Sequence, residues 1–121
     1  IEAISDNHVM KMNSVLLDNS CAVIGISVSG KTQEVVDSLK AAKSAGSDVI
    51  LLTSHKNKEQ ADYCDEVILL ALRENLESGN VISPQFPILV MLDLIYSYYL
   101  EQDKFRKETL HDDTVKALKG E

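Results

Sequence analysis

Short apolar runs alternate with amphipathic stretches along this chain. Three runs, over residues 22–27, 48–53 and 66–70, are apolar at almost every position and rich in leucine and β-branched residues. Runs of this kind are typical of strands that are covered on both faces, as in a parallel sheet. A fourth run, over residues 1–5, has the pattern of the end of another strand.

The segments between the runs have helical periodicity. Residues 32–45 place apolar side chains on one stripe and end before Gly46. Glycine readily adopts the left-handed backbone conformation that ends many helices. Residues 6–17 predict a helix that begins at an Asp6 or Asn7 cap. Its apolar face, which we expect to point inward, consists of Val9, Met12, Val15 and Leu16.

Three further helices complete the predicted order of elements. A short helix over 58–63 precedes the third strand, and a polar loop over 73–83 leads into an apolar helix over 84–99. Pro87 is tolerable in that helix only within its first turn. An amphipathic helix over 106–119 closes the chain. The alternation of strands and helices predicts an α/β sandwich with right-handed crossovers.

The composition is that of one globular domain with an acidic surface. The 121 residues are 45% hydrophobic, which is enough to build a core without a disulfide or metal staple. Nineteen acidic residues against 12 basic ones give a net charge of -7, which argues against this segment binding a nucleic-acid backbone. An anionic ligand must therefore be held by local donors.

Several other classes of site and segment are disfavoured. Cys21 and Cys64 lie in separate apolar stretches without a C-x-x-C spacing, which predicts reduced thiols in a cytoplasmic protein. The three histidines have no metal-ligand spacing, so we expect neither a metal nor another cofactor. We find no signal peptide and no apolar run near the ~20 residues that span a bilayer. Because the first residue is not Met, we expect a piece of a longer chain.

One loop carries the strongest indication of chemistry. The segment Ser27-Val-Ser-Gly-Lys-Thr32 leaves the first strand and enters a helix within a few residues. Its hydroxyls, its glycine and the free N–H groups of the helix start are suited to an anion, most often a phosphate. Because the segment lacks the G-x-x-x-x-G-K-[ST] pattern of nucleotide-hydrolysing loops, a small phosphorylated ligand fits it better.

A purely structural interpretation of this loop stays open. Ser27, Ser29 and Thr32 could cap the helix and satisfy its first N–H groups. Lys31 in the first turn opposes the helix dipole by about 0.3–1 kcal/mol, a cost that disappears beside a bound anion. Lys31 could equally be a solvated side chain that points away.

Two other polar segments are candidates for the same site. Residues 53–57 follow the second strand and would lie beside the first loop, where they supply hydroxyls to a sugar or form a polar turn. Residues 74–83 contain Glu74 and Glu77, which could act as a base on a bound sugar or belong to a solvated loop. His8 and His55 also fit ordinary surface or core positions.

The loop and its surroundings resemble a known family. The run from Val23 to Thr32 is similar to the S-x-S-G-x-T phosphate loop of SIS (sugar isomerase) domains, and the similarity continues through residues 34–36, 41–46 and 49–54. Residues 4–6 and 77–83 look most like the ligand-sensing half of RpiR-type bacterial transcription regulators. The resemblance implies a three-layer α/β/α sandwich with a parallel, flavodoxin-like sheet.

The resemblance also implies a site and partners. A phosphorylated sugar is held at its phosphate by Ser27, Ser29 and Thr32 with the amides around Val28 and Gly30. Its sugar is bordered by three further hydroxyls, those of Thr53, Ser54 and Ser83. The family implies a homodimer or higher oligomer, with DNA bound only through an N-terminal helix-turn-helix that precedes this segment.

Two departures from the family pattern matter. Lys31 stands where many relatives have Glu. A complete SIS domain also begins with a helix and a strand whose Gly/Ser loop lines the pocket, and this sequence does not contain them. We therefore expect an open hydrophobic edge on the strand over 22–27, incomplete ligand binding and a tendency to oligomerise.

Three functions follow from these observations. The leading one is a phosphosugar-responsive regulatory domain without catalysis. The alternative is an aldose-ketose sugar-phosphate isomerase, for which Glu77 with His8 or His55 are the available acid-base groups. A plain interaction domain is the third.

Overall fold

A computed structural model describes residues 2–71 and 85–120 of the chain. The chain divides into two compact units, Ile1–Pro84 and Gln85–Glu121. The predicted loop over 73–83, with Glu74, Glu77 and Ser83, lies outside the described residues.

The first unit has the alternation that the apolar runs predict. In chain order its elements are α1 (Asn7–Leu16), β1 (Ala22–Ile26), α2 (Gln33–Ser44), β2 (Asp48–Thr53), a 3₁₀ helix (Lys58–Asp62) and β3 (Glu66–Leu69). The three predicted strands and the helices over 6–17 and 32–45 are confirmed. Asp6 is the cap of α1, since its carboxylate accepts from the N–H groups of His8 and Val9.

The strands form a parallel sheet in the order β1-β2-β3. Gly25 lies opposite Leu51, and Leu51 lies opposite Val67. β1 has β2 as its one neighbour among the described residues, so its other edge is unpaired there. This is the open edge that the sequence predicts.

The fourth strand, predicted over 1–5, is not formed. Residues 2–5 have no regular structure and three of the four are exposed. A strand exists only where a neighbour supplies hydrogen bonds, and none of the described strands pairs with these residues. The short apolar pattern therefore predicted a strand for which the described residues supply no partner.

The core of this unit lies between α2 and the sheet. Leu39 of α2 packs there, and Gly25 permits its close approach, because a Cβ at Gly25 would lie 2.7 Å from Leu39 Cδ1. The buried cluster contains Leu39, Ala42, Val49, Leu51, Tyr63 and Cys64. Burial raises the pKa of the Cys64 thiol to about 11, so this thiol is protonated at neutral pH. Both cysteines are free, as predicted, although Cys21 is only half-buried.

The predicted inward face of α1 is wrong. α1 packs against α2, yet Val9, Met12, Val15 and Leu16 are all exposed. The inner side is formed instead around Ser14, whose hydroxyl donates to the main-chain oxygen of Met10 at 2.7 Å. A small side chain with its hydroxyl bonded locally lets two helices approach closely, and hydrophobic periodicity does not detect this.

The second unit contains one continuous helix, α3 (Gln85–Leu118), where the sequence predicts two helices over 84–99 and 106–119. The predicted break followed a change from apolar to charged composition, but residues 100–105 contain neither glycine nor proline. Asp103 accepts from Arg106 at 3.2 Å and from Lys107 at 2.9 Å, which supports the helix across the junction. Pro87 lies in the first turn, as predicted. No helix in the described ranges combines the length and apolarity that a membrane crossing needs.

Candidate functional site

The loop over residues 27–32 joins the carboxyl end of β1 to the amino end of α2 in six residues. The Ser27 N–H donates to the Leu52 carbonyl at 3.0 Å, which keeps the first loop residue aligned with β2. The Gly30 N–H then donates to the Ser27 carbonyl at 3.0 Å and closes a turn. Gly30 has a φ of +69°, a conformation that glycine adopts without strain. The turn brings the candidate hydroxyls to the start of α2.

The three hydroxyls of this loop have different surroundings. Ser27 is buried, and its Oγ lies 2.9 Å from Thr32 Oγ1, so one of the two hydroxyls donates to the other. Ser29 is exposed, and its Oγ accepts from the Lys31 N–H at 3.2 Å. The Ser29 proton is not used in that bond. Ser29 and Thr32 are therefore the accessible hydroxyls, while Ser27 positions Thr32.

The amino end of α2 is not capped by these side chains. Thr32 occupies the N-cap position, but its hydroxyl accepts no bond from the first turn. Within the described part of the chain, the N–H groups of Gln33, Glu34 and Val35 form no hydrogen bond. The purely structural interpretation of the loop, in which its hydroxyls satisfy these N–H groups, is therefore wrong. The orphan N–H groups and the helix dipole are available to an anion.

The charged side chains nearest the loop have opposite signs. Lys31 is exposed and forms no ion pair with any described residue. Glu34 lies in the first turn of α2, where a carboxylate is favourable to the helix dipole. The loop is thus locally balanced, and its attraction for an anion comes from N–H and hydroxyl donors.

The second predicted loop, after β2, contacts the first through the Val28 carbonyl. Thr53 is completely buried, and its hydroxyl donates to that carbonyl at 3.2 Å. The same hydroxyl oxygen accepts from the His55 N–H at 3.2 Å. The Ser54 N–H and the Ser54 hydroxyl also donate to the Val28 carbonyl, at 3.0 and 2.6 Å. Thr53 and Ser54 therefore hold the two loops together with the hydroxyls that were predicted to border a sugar.

Gln60 is a site residue that the sequence reasoning missed. Its side chain is completely buried, and its Nε2 donates to the His55 carbonyl at 2.9 Å. Its Oε1 accepts from the Asn57 N–H at 2.9 Å, and Asn57 in turn accepts from the Gln60 N–H at 3.1 Å. This reciprocal pair is a capping box, and the N-x-x-Q spacing in the sequence is the signal that identifies it. Gln60 also packs against the first loop, because a Cβ added at Gly30 would lie 2.7 Å from Gln60 Nε2.

A cleft of about 560 Å³ lies beside the loop, between α2 and the 3₁₀ helix. Its lining includes Gly30 and Lys31 but none of the five candidate hydroxyls that lie in the described residues. Lys40 lies over the ring of Tyr63 there, with its Nζ 5.4 Å from the ring centroid. Because the cleft is walled by two lysines and by Glu59 and Asp62, its charges largely cancel. The loop, with its uncapped helix, remains the better anion site.

The structure brings together most, but not all, of the predicted site residues. The loops that carry Ser27, Val28, Ser29, Gly30, Thr32, Thr53 and Ser54 lie in contact. His8 lies in the first turn of α1 and forms no hydrogen bond to either loop. Ser83, Glu74 and Glu77 lie outside the described residues, so their placement stays a prediction. No cluster of His, Cys, Asp or Glu among the described residues is arranged to hold a metal ion.

The sequence is similar to a protein family and to known regulators. A family profile described as "SIS domain" matches residues 1–95. An uncharacterized HTH-type transcriptional regulator of Haemophilus influenzae is 30% identical over 104 residues, which are 86% of this chain and 36% of the relative. The HTH-type transcriptional regulator RpiR of Escherichia coli is 27% identical over 95 residues, 78% of this chain and 32% of the relative. The chain thus spans about a third of the length of these relatives.

A solved structure has a similar fold. It is described as the Vibrio vulnificus NanR protein complexed with ManNAc-6P, and it superposes with a TM-score of 0.70. The match covers 92% of this chain and 42% of that one at 20% sequence identity. At this identity the likeness shows that the two share a fold, which agrees with the parallel α/β arrangement predicted from the sequence.

Proposed function

The chain belongs to the SIS domain family, and from that premise we propose that it is the phosphosugar-sensing domain of an RpiR-type transcriptional regulator. In this proposal it binds a phosphorylated sugar, forms a homodimer or higher oligomer and catalyses no reaction. DNA is bound by an N-terminal helix-turn-helix of the whole cytoplasmic protein, which thereby controls sugar-metabolism genes. The HTH-type regulators among its relatives and the likeness to NanR support this proposal.

The uncapped amino end of α2 carries the proposal. A phosphoryl group at this position accepts hydrogen bonds from the N–H groups of the first turn and from the hydroxyls of Ser29 and Thr32. Charge-assisted hydrogen bonds of this kind are roughly twice as strong as neutral ones. Ser27 orients Thr32, and the Val28 and Gly30 backbone shapes the turn. Thr53 and Ser54 act by holding the loop in place, and Ser83 remains a predicted contact to the sugar.

The regulatory step follows from the position of the site. The loop connects β1, with its open edge, to α2, so an anion that orders the loop also acts on the elements that flank it. A ligand shifts a conformational equilibrium only by its difference in affinity for the two states. Coupling free energies between distinct sites are typically about 1–3 kcal/mol, which is the size of effect the DNA-binding domain would receive.

Thermal unfolding with and without phosphate compounds tests the proposal. A ligand at a hundred times its Kd adds about 2.7 kcal/mol to the free energy of unfolding. We expect ManNAc-6P or another sugar 6-phosphate to raise the Tm, and the unphosphorylated sugar to leave it unchanged. Ser29→Ala and Thr32→Ala should each weaken binding by about 1.5–3 kcal/mol. Ser44→Ala removes an exposed hydroxyl at the opposite end of α2 and serves as the matched control.

Incubation of the chain with the same phosphate compounds distinguishes a sensor from an enzyme. Binding without conversion of any sugar phosphate supports the sensor. If the chain converts an aldose phosphate into a ketose phosphate, and Glu77→Gln abolishes this conversion, the chain is an isomerase and the sensor proposal is wrong. If neither the chain nor the full-length regulator responds to any sugar phosphate, the proposal is wrong.

A further inference from the structure

Three polar groups meet where the two loops touch, and together they fix the position of one proton. They are the carbonyl of Val28, the hydroxyl of Ser54 and the imidazole ring of His55. Ser54 Oγ lies 2.6 Å from the Val28 oxygen and 2.8 Å from His55 Nδ1. His55 Nδ1 lies 3.4 Å from the same carbonyl oxygen.

The Ser54 hydroxyl has a single proton, and the carbonyl decides its direction. A carbonyl oxygen accepts but never donates, so the 2.6 Å contact requires the Ser54 proton to point at Val28. The Ser54 oxygen is then an acceptor toward the ring at 2.8 Å. His55 Nδ1 must therefore carry a proton, because two unprotonated acceptors would otherwise face each other. Neutral His55 is held as the Nδ1–H tautomer.

The rest of His55 is fixed as well. Its N–H donates to the buried Thr53 hydroxyl at 3.2 Å, and its carbonyl accepts from the buried Gln60 side chain at 2.9 Å. The residue itself is exposed. The second ring nitrogen, Nε2, then has a lone pair and no proton, on a ring that is oriented before any ligand arrives.

We propose that His55 is a specificity-determining residue of the sensor, whose Nε2 accepts a hydrogen bond from a hydroxyl or amide N–H of the sugar. This inference rests on the proposed phosphosugar function. An unprotonated nitrogen gives nothing to phosphate oxygens, which also accept. His55 therefore recognises the donor groups of the sugar, while the loop over 27–32 recognises the phosphate.

The first test does not depend on a ligand. The ¹⁵N shifts of the histidine rings, measured by NMR at about pH 8, where an ordinary imidazole is neutral, report which nitrogen carries the proton. We expect protonated Nδ1 and unprotonated Nε2 for His55. In Ser54→Ala we expect the Nε2–H tautomer of His55 to become more populated. An Nε2–H tautomer in the unmodified chain would overturn the inference.

The second test separates the two parts of a ligand. His55→Asn keeps an N–H donor near the Nδ1 position and removes the outer nitrogen, whereas His55→Gln places an amide near the outer position. We expect His55→Asn to lower affinity for ManNAc-6P about three- to tenfold, the effect of one neutral hydrogen bond, with little change in affinity for inorganic phosphate. His55→Gln should lose less affinity for ManNAc-6P than His55→Asn does. The Tm of both variants should stay near that of the parent chain.

The outcomes distinguish failure of this inference from failure of the proposed function. Equal affinity of parent and His55→Asn for ManNAc-6P and a panel of other sugar phosphates overturns the role of His55 and leaves the sensor intact. An equal loss for inorganic phosphate also overturns it, since His55 would then act on the phosphate loop. If the parent chain binds no phosphate compound, the sensor and the role of His55 both fail.

Discussion

Gly30→Ala is the sharpest test of how the loop over residues 27–32 is held. The substitution adds one methyl group at a residue whose φ is +69°. A Cβ at this position would lie 2.7 Å from Gln60 Nε2, 2.9 Å from Thr53 Oγ1 and 3.0 Å from the His55 carbonyl oxygen. Each of these atoms is itself hydrogen-bonded, so the loop cannot yield without breaking the contact between the two candidate segments.

The chain offers a matched control in Gly46→Ala. Gly46 has a φ of +94°, but the nearest atom to its added Cβ, the Asn19 main-chain nitrogen, is 3.8 Å away. Left-handed backbone costs a residue with a Cβ about 1–2 kcal/mol, and both variants incur this cost. Forcing a methyl group into occupied space adds about 1–3 kcal/mol, and only Gly30→Ala incurs this second cost. The difference between the two variants therefore measures the packing of the loop.

Urea denaturation gives the free energies of unfolding of both variants. We expect Gly30→Ala to lose about 2–5 kcal/mol and Gly46→Ala about 1–2 kcal/mol, from the sum of the two costs. Affinity for inorganic phosphate should fall in Gly30→Ala and stay unchanged in Gly46→Ala. Equal destabilisation by the two substitutions would refute the close approach of the loops, and normal phosphate affinity in Gly30→Ala would refute its link to the site.

Three further predictions concern the scaffold. Gly25→Ala should lower the free energy of unfolding by about 1–3 kcal/mol, because the added methyl group overlaps with Leu39. Urea denaturation of the double variant with Leu39→Val should show that part of this loss is recovered. No recovery would contradict the contact between Gly25 and Leu39. The hydrogen bond from Lys43 lowers the pKa of Asp65, so this carboxylate stabilises the fold above the ordinary Asp range, and that contribution is lost on acidification. Asp65→Asn should accordingly flatten the fall in stability as the pH drops through the ordinary Asp range and below it, and an unchanged slope would exclude this role. Cys64 should react with iodoacetamide more slowly than the half-buried Cys21, because burial raises the pKa of Cys64. Equal rates in the folded chain would contradict the burial of Cys64.

The parallel sheet was predictable because its signal is local and strong. The runs that became β1 and β2 are apolar at nearly every position, and their flanking polar residues mark where each strand ends. Asp6 likewise predicted the start of α1, since a capping carboxylate acts within three residues of its own position. Features of this kind need no knowledge of the rest of the fold.

The errors arose where a local pattern needed a distant partner. The apolar face of α1 identified a real stripe of side chains, but periodicity does not say which side meets α2. Residues 2–5 have a strand-like composition without a neighbour. In α3 the sequence changed composition at residue 100 without any helix-breaking residue, so the amphipathic pattern changed while the backbone continued.

The candidate site was predictable in its residues but not in their roles. Ser27, Ser29 and Thr32 are equivalent hydroxyls in the sequence, whereas the structure buries Ser27 and leaves Ser29 exposed. Thr53 was expected beside a sugar because it ends a strand, yet its hydroxyl is bonded to Val28 and His55. Such roles depend on the direction of a side chain, which the spacing of residues does not determine.

The contrast between the two helix starts of the first unit supports the proposal that the loop over residues 27–32 binds an anion. α1 is capped by the Asp6 carboxylate, so two N–H groups of its first turn are already hydrogen-bonded to an anionic group. α2 begins with N–H groups that no described residue satisfies, although hydroxyls lie within the preceding six residues. Those hydroxyls bond to each other or to the turn instead, which leaves the helix start dependent on water or on a ligand. An anion bound there raises the free energy of unfolding by RT ln(1 + [L]/Kd), so the stability of the folded chain should itself report the concentration of the ligand.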